Sequence, residues 1–345
     1  MRVYALLRTA VVVPVLSASL PTVELDYTTV QAVGGNTTVG YYMYQNSRFS
    51  AVPTGDLRFA APELPPQEND TNTGANLADA DVAWSKHPEG LFDLSQDFIF
   101  VACNYRLGIT GLAHGPFWVK TYIDKFGGNP NDVTAVGFSA GGSQAMFQMT
   151  RFGGNAPQLF EKAYIMSPGY VPGAGHHHAV QFWQNVPSVG CDGGHLGCMR
   201  EVDFSTLQDA ASEVVSEYTY QYQPRVDGLI IPGTSAGLRF ADMKQSLDLT
   251  AKNLALTNAL KNATRSAGSG LLKALREDLS LAWTYLLSFV ITGNSNTMWP
   301  DDKLYWPQYN ESSVGTEIVF DDTFTVADDD LANSKSLFWN KALWY

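Results

Sequence analysis

The sequence predicts an α/β protein built as one large domain, and two observations support this. An apolar run at residues 133–136 leads into Gly137-Phe138-Ser139-Ala140-Gly141, and a helix-compatible stretch follows at residues 143–149. A strand, a sharp turn and a helix in succession are typical of α/β proteins. The chain also has 345 residues, of which 45% are hydrophobic and 16% are charged, so it can bury a sizeable core.

Basic, apolar and small residues follow one another at the N-terminus in the order of a secretory signal peptide. We predict that residues 1–19 are this signal peptide, that cleavage falls near Ala18 or Ser19, and that residues 20–345 form the mature domain. The alternative is a buried first strand. Export would also expose Asn-x-Ser/Thr sequons to glycosylation, and the sequence has four, at Asn36, Asn69, Asn262 and Asn310. We therefore expect a secreted glycoprotein.

Ser139 is the candidate nucleophile, because a Gly-x-Ser-x-Gly turn between a strand and a helix is the sequence form of a nucleophile elbow. The serine of such an elbow has a strained backbone, and its neighbours must be small for the strand and the helix to approach each other. We expect Gly137 and Gly141 to allow this approach, with Phe138 and Gly142 completing the elbow. An ordinary turn is the alternative, since glycine and serine are common.

Further segments resemble the type-B carboxylesterases and fungal lipases, and they extend over nearly the whole mature chain. The stretch that leads into the elbow carries the closest resemblance. The matching segments are residues 53–59 (PTGDLRF), 104–108 (NYRLG), 125–134 (KFGGNPNDVT), 224–228 (PRVDG) and 306–309 (WPQY).

This resemblance implies an α/β-hydrolase fold, in which a central, mostly parallel sheet is flanked by helices, here with several contracted segments. It also implies that a small-molecule or lipid ester is hydrolysed through an acyl-serine on Ser139, with neither a metal nor an organic cofactor. The backbone N–H of Ala140 is the one oxyanion donor that the motif supplies. We therefore expect a serine carboxylic ester hydrolase.

The acid and the base that activate the serine in this family are missing from their expected places. The triad order puts a histidine well downstream of the serine, yet no histidine follows His195. His195 could replace the base only if the 191–198 loop folded over Ser139. Carboxylates in the region of the expected acid lie in helical context and are left unassigned: Asp242, Glu277 and Asp278.

The oxyanion loop of the family is also missing, since no His-Gly-Gly-Gly segment occurs between Ala83 and Gln96. Phe138 stands where the family usually has glutamate, which removes a buried carboxylate from beneath the site. We therefore expect impaired turnover. Two alternatives stay open: a non-catalytic homologue that acts as a secreted binding protein, and an incomplete gene model of an active esterase.

Three cysteines in an exported chain suggest one disulfide and one free thiol. Cys191 and Cys198 resemble the short-loop disulfide of fungal lipases, so the resemblance implies this pair. Cys103 is then expected as a buried thiol within a strand at residues 98–104. The alternative is a metal site, although the spacing of its ligands fits no common zinc pattern: His176, His177, His178, Cys191, His195 and Cys198.

Charge and hydropathy argue against two classes of partner. A net charge of −12 and a pI near 4.8 do not suit nucleic-acid binding, which needs clustered basic side chains. The most apolar run, residues 279–291, is shorter than the ~20 residues that span a bilayer, so we predict a buried helix and no transmembrane span. Four aromatic residues either pack in the core or contact an apolar substrate: Phe182, Trp183, Trp283 and Tyr285.

Overall fold

A computed structural model describes the chain over residues 2–5, 19–74, 88–103, 116–166, 168, 189–191, 196–217, 270–271, 279–307, 316–319 and 324–328. The chain divides into two compact units, residues 1–133 with 159–161, and residues 134–158 with 162–345. Each unit is described by itself. The single domain expected over residues 20–345 stays a prediction.

The first unit contains an antiparallel four-stranded sheet, a separate strand pair and two α-helices. Its elements are β1 (Arg2–Ala5), β2 (Thr22–Glu24), β3 (Thr29–Gln31), β4 (Gly34–Asn36), β5 (Tyr41–Tyr44), α1 (Glu89–Leu94), β6 (Phe100–Ala102) and α2 (Pro116–Tyr122), with 3₁₀ helices at Gly55–Leu57 and Ile123–Phe126. The sheet has the order β4-β5-β1-β6, and β2 pairs with β3.

The position of β1 bears on the N-terminus. Arg2 pairs with Ala102 and Val3 pairs with Tyr44, so this strand lies between β5 and β6. A first strand is the alternative interpretation of this segment. The pairing of β1 does not test the signal peptide, which stays a prediction.

At the other side of the sheet β6 ends at Ala102. The expected strand at residues 98–104 is therefore too long, and Cys103 follows the strand as a half-buried thiol instead of lying buried within it.

The core of the first unit forms around α2. Trp118 and Tyr122 are four residues apart on this helix, so they share one face, and both are buried. The Trp118 Nε1 group donates a hydrogen bond of 2.9 Å to the Tyr27 hydroxyl, which donates in turn to the carbonyl of Arg48. Burial raises the pKa of Tyr27 to about 12, so the hydroxyl stays protonated and both hydrogen bonds persist at neutral pH.

A partly buried ion pair joins α2 to residues 159–161 of the same unit. Lys120 Nζ contacts the Glu161 carboxylate and also donates to the carbonyl of Pro130 at 2.5 Å. The second oxygen of Glu161 accepts the Val133 N–H at 2.7 Å, and the Glu161 N–H donates to the Val133 carbonyl at 2.8 Å. Because one carboxylate serves both the ammonium and a backbone amide, it fixes the backbone of Val133.

The second unit contains the elbow motif. Its elements are β7 (Thr134–Phe138), α3 (Ala140–Thr150), β8 (Lys162–Met166), α4 (Leu196–Glu201), α5 (Phe204–Glu217), β9 (Gly270–Leu271), α6 (Leu279–Thr292), β10 (Thr316–Val319) and β11 (Thr325–Asp328), with a 3₁₀ helix at Arg151–Gly154. The parallel pairs are β7 with β8 and β9 with β10, and β11 is antiparallel to β10.

The strand, turn and helix predicted around residue 139 are confirmed as β7, residue 139 and α3, each a little longer than the periodicity indicates. The helix predicted at residues 279–291 is also present, as α6. Residues 281–291 of this helix are half-buried to buried, with Tyr285 packed edge-to-face on Trp306 and grouped with Ile318 of β10. Among the helices that the structure describes, none is long and apolar enough to cross a membrane.

Candidate active site

Ser139 lies between the last residue of β7 and the first residue of α3, with φ 52° and ψ −118°. A positive φ in a residue with a side chain costs of order 1–3 kcal/mol, so surrounding contacts must hold it. The Ser139 N–H donates to the Met166 carbonyl at 2.9 Å, and the Ser139 carbonyl accepts the N–H of Ser143 at 3.0 Å. The elbow is thus tied to β8 on one side and to the first turn of α3 on the other.

The glycines of the motif have unequal roles. A Cβ on Gly137 would lie 2.5 Å from the carbonyl oxygen of Gly141 and 2.6 Å from the nitrogen of Gly142. A Cβ on Gly142 would lie 3.0 Å from the Ile165 side chain, whereas a Cβ on Gly141 would meet nothing within 4 Å. The expectation that Gly141 allows the close approach is therefore wrong: the helical rotation turns Gly142 towards the strands and Gly141 away.

Ser139 and Ala140 are both exposed to solvent. Ala140 is the first residue of α3, and the first N–H groups of a helix have no partner within the helix. Within the described segments its N–H has no acceptor, while the N–H of Ser139 is already used by Met166. The elbow can therefore offer one backbone donor, that of Ala140, to an oxyanion formed on a substrate of Ser139.

Phe138, which stands where the family usually has glutamate, is the last residue of β7. Its side chain is 58% exposed, and that of Val136 on the same face of β7 is 47% exposed. Across the parallel pair these residues stand beside Met166 and Tyr164, of which Tyr164 contacts Phe289 of α6. The period-two alternation of a strand puts Phe138 on the face opposite α3, so this apolar side chain lies at the surface next to the nucleophile.

No hydrogen bond joins the Ser139 hydroxyl to any side chain in the segments that the structure describes. The six histidines of the chain all lie outside the described residues, including His195 and the run at 176–178. The carboxylates considered for the acid lie outside them as well: Asp242, Glu277 and Asp278. The described residues thus bring together the candidate nucleophile and one candidate oxyanion donor.

Cys191 and Cys198 form a disulfide with a Cα–Cα distance of 5.7 Å. A disulfide sulfur is not a thiolate, so this pair cannot supply the two sulfur ligands of the alternative metal site. Among the residues described, no cluster of His, Cys, Asp and Glu could hold a metal ion.

The aromatic residues considered for substrate contact divide into two groups. Tyr285 is fully buried and Trp283 is half-buried on α6, while residues 182 and 183 lie outside the described segments. For Tyr285 core packing is therefore the correct interpretation. Its ring also contacts a cation, because Lys303 Nζ lies 4.7 Å from the ring centre and 5.8 Å from that of Trp299. Burial lowers the pKa of Lys303 to about 8.

The sequence of this chain is similar to those of several known proteins. Residues 117–256, which include the elbow, match the carboxylesterase family. The secreted triacylglycerol lipase LIP1 of Gibberella zeae is 32% identical over 173 residues, covering 41% of this chain and 29% of the lipase. The carboxylesterase patB of Penicillium expansum is 24% identical over 347 residues, covering 63% of this chain and 61% of patB. The chain thus matches less than two thirds of the length of either relative.

Solved structures with the same fold cover nearly the whole chain. EstA of Aspergillus niger superposes with a TM-score of 0.72 at 17% sequence identity, over 94% of this chain and 98% of EstA. The carboxylesterase EST55 of Geobacillus stearothermophilus gives a TM-score of 0.66 at 15% identity, over 94% of this chain and 100% of that enzyme. These similarities confirm the α/β-hydrolase fold.

Proposed function

We propose that this chain is a member of the carboxylesterase family and hydrolyses carboxylic esters through a covalent acyl-enzyme on Ser139. The observation that supports this most strongly is the elbow itself, a solvent-exposed serine held at positive φ between a parallel strand and a helix. The names of the relatives, a triacylglycerol lipase and a carboxylesterase among them, favour a small-molecule or lipid ester as substrate.

The proposed reaction has two steps. Ser139 Oγ attacks the ester carbonyl carbon, its proton passes to a base and on to the leaving alkoxide, and an alcohol departs. Water then attacks the acyl-serine, the Ser139 oxygen recovers a proton, and a carboxylic acid is released. In both steps the negative charge that develops on the carbonyl oxygen is placed beside the N–H of Ala140, at the N-terminus of α3.

We further propose that turnover is slow. A serine hydroxyl is a weak nucleophile without a positioned base, and loss of a triad member typically leaves only ~10³ to 10⁴-fold acceleration over water. Loss of one oxyanion donor costs a further ~10²-fold or more. Because the sequence lacks the expected His-Gly-Gly-Gly loop and a histidine beyond His195, both losses apply here.

A second candidate is a non-catalytic homologue that binds an ester or lipid without cleaving it. This candidate is favoured by the sequence, which keeps the elbow but has no histidine beyond His195 and no assignable acid. Such a protein would retain the elbow as a structural element of the fold, and Ser139 would form no covalent intermediate.

A fluorophosphonate probe and a short-chain nitrophenyl ester separate the two candidates. We expect the full chain to be labelled and to release nitrophenol slowly, and the Ser139→Ala variant to do neither. Ser212→Ala is the matched control, since Ser212 is exposed on α5 and should not affect the reaction. Labelling that survives the Ser139 substitution would reject this residue as nucleophile. A folded protein that is neither labelled nor active would support the binding protein.

We also propose that the protein is exported. The N-terminal pattern of residues 1–19 supports export, as do the relatives named secreted lipases and the Cys191–Cys198 disulfide, since disulfides persist in oxidising compartments. N-terminal sequencing of the protein from a culture medium tests this, with a start near residue 19 or 20 as the expected result.

A further inference from the structure

The hairpin that joins β4 to β5 carries a sequon at its tip. Asn36 is the last residue of β4, and Thr37, Thr38 and two further residues form the turn before β5. The side chains of all three sequon residues are exposed. β4 is also an edge strand among the described strands of its sheet.

Hydrogen bonds orient the Asn36 amide. Its Oδ1 accepts the N–H groups of Thr38 and Val39, both at 3.0 Å, and its backbone carbonyl accepts the N–H of Gly40 at 2.6 Å. Gly40 supplies the φ of 86° that closes the turn. The oxygen of the amide is thus engaged by the turn, while the Nδ2 group has no hydrogen bond among the described residues and belongs to an exposed residue.

We propose that Asn36 carries an N-linked glycan. In the transfer, Asn36 Nδ2 forms a bond to the anomeric carbon of an oligosaccharide carried on a lipid pyrophosphate. The bond from that carbon to the phosphate oxygen breaks, the lipid pyrophosphate leaves, and the amide proton is lost to a base of the transferase. The proposal requires export, as proposed above, and is independent of ester hydrolysis.

The sequon at Asn69 is the natural comparison, because it is also exposed and lies in the same unit. Its chain is anchored on both sides: the N–H of Glu68 donates to the Tyr27 carbonyl at 2.7 Å, and the N–H of Asn72 donates to the Thr29 carbonyl at 2.7 Å. The hydrogen bonds of the Asn36 side chain are instead made within its own turn through Oδ1, so a sugar on Nδ2 would displace no hydrogen bond among the described residues. A hydrophilic glycan there would also block the open edge of β4 from pairing with another chain.

The test is to express the full chain behind a host secretion leader in a eukaryotic host, so that entry into the secretory pathway does not depend on residues 1–19. The secreted protein is treated with peptide:N-glycosidase F, which converts a glycan-bearing Asn to Asp, and peptides are mapped by mass spectrometry. Thr38→Ala removes the sequon while keeping Asn36, and Thr38→Ser is the matched control that retains it.

We expect conversion at Asn36 in most molecules of the wild-type and Thr38→Ser proteins, and one glycan fewer in Thr38→Ala. An unmodified Asn36 peptide in secreted protein would overturn the proposal, whether or not another sequon is modified. Conversion at Asn36 together with an inactive Ser139 would leave the glycan established and refute only the proposed hydrolysis.

Discussion

Replacing Gly137 by alanine should disrupt the elbow, although the change adds a single methyl group. The new Cβ would lie 2.5 Å from the carbonyl oxygen of Gly141 and 2.6 Å from its carbonyl carbon, and all the atoms it meets first are backbone. No side-chain rotation can relieve such a contact, so β7 and α3 must separate. Overpacking of this kind costs about 1–3 kcal/mol.

Gly141→Ala is the matched control, four residues along. Its Cβ meets nothing within 4 Å, and the residue lies in α3, where alanine is favoured over glycine by about 0.5–1 kcal/mol. The two variants carry the same chemical change and should therefore differ by about 1.5–4 kcal/mol in free energy of unfolding. Urea unfolding followed by circular dichroism measures this difference.

Probe labelling gives a second readout. Gly137→Ala should lose fluorophosphonate labelling at Ser139 even where the protein remains folded, because the serine is displaced from its position beside the Ala140 N–H. Gly141→Ala should keep it. Equal stability and equal labelling of the two variants would refute the argument that Gly137 allows the strand and helix to approach.

Three further perturbations test other contacts. Glu161→Gln removes the carboxylate shared by Lys120 and a backbone amide. It should lower the free energy of unfolding, measured in urea, by about 1–3 kcal/mol. No change would show that water already solvates the ion pair. Reduction of the Cys191–Cys198 bridge should lower stability by about 2 kcal/mol, with Cys191→Ser as the check that the reductant acts there. The pKa of Lys303 in the folded protein is lowered to about 8, below its value of about 10.4 in an unfolded chain. Between about pH 8 and 10 the unfolded chain therefore binds a proton on this amine that the folded protein has lost. The free energy of unfolding should rise with pH over this range. Lys303→Met should flatten that rise and add stability at pH 7, and an unaltered pH profile would contradict the burial of the amine.

The elbow was predictable because its information is local. Strand periodicity, the Gly-x-Ser-x-Gly turn and helix periodicity adjoin one another, and together they specify where the serine lies and why its backbone is strained. The motif does not indicate which of the two glycines after Ala140 faces β7 and β8. Gly142 has that role beside Gly137, and a helical wheel placed from residue 140 would have found it.

Contacts between distant segments were not predictable from the pattern. The hydrogen bond from Trp118 to Tyr27 joins residues 91 apart, and the Met166 carbonyl that holds the elbow belongs to a strand recognisable only as an apolar stretch. The surface position of Phe138 was missed for the same reason: it depends on what covers one face of β7, which local sequence does not encode. A triad base is harder still, since triad members are brought together by the fold.

The placement of Arg2–Ala5 between β5 and β6 gives the proposed removal of residues 1–19 a structural consequence. Neighbouring strands lie about 4.8 Å apart, so removal of an inner strand leaves a gap of roughly 10 Å between the strands on either side. A processed form would lack this strand, and β5 and β6 would then join directly or recruit another segment. Leader removal would thus rebuild the first unit, and precursor and processed forms would differ in protease sensitivity well beyond the cleavage point.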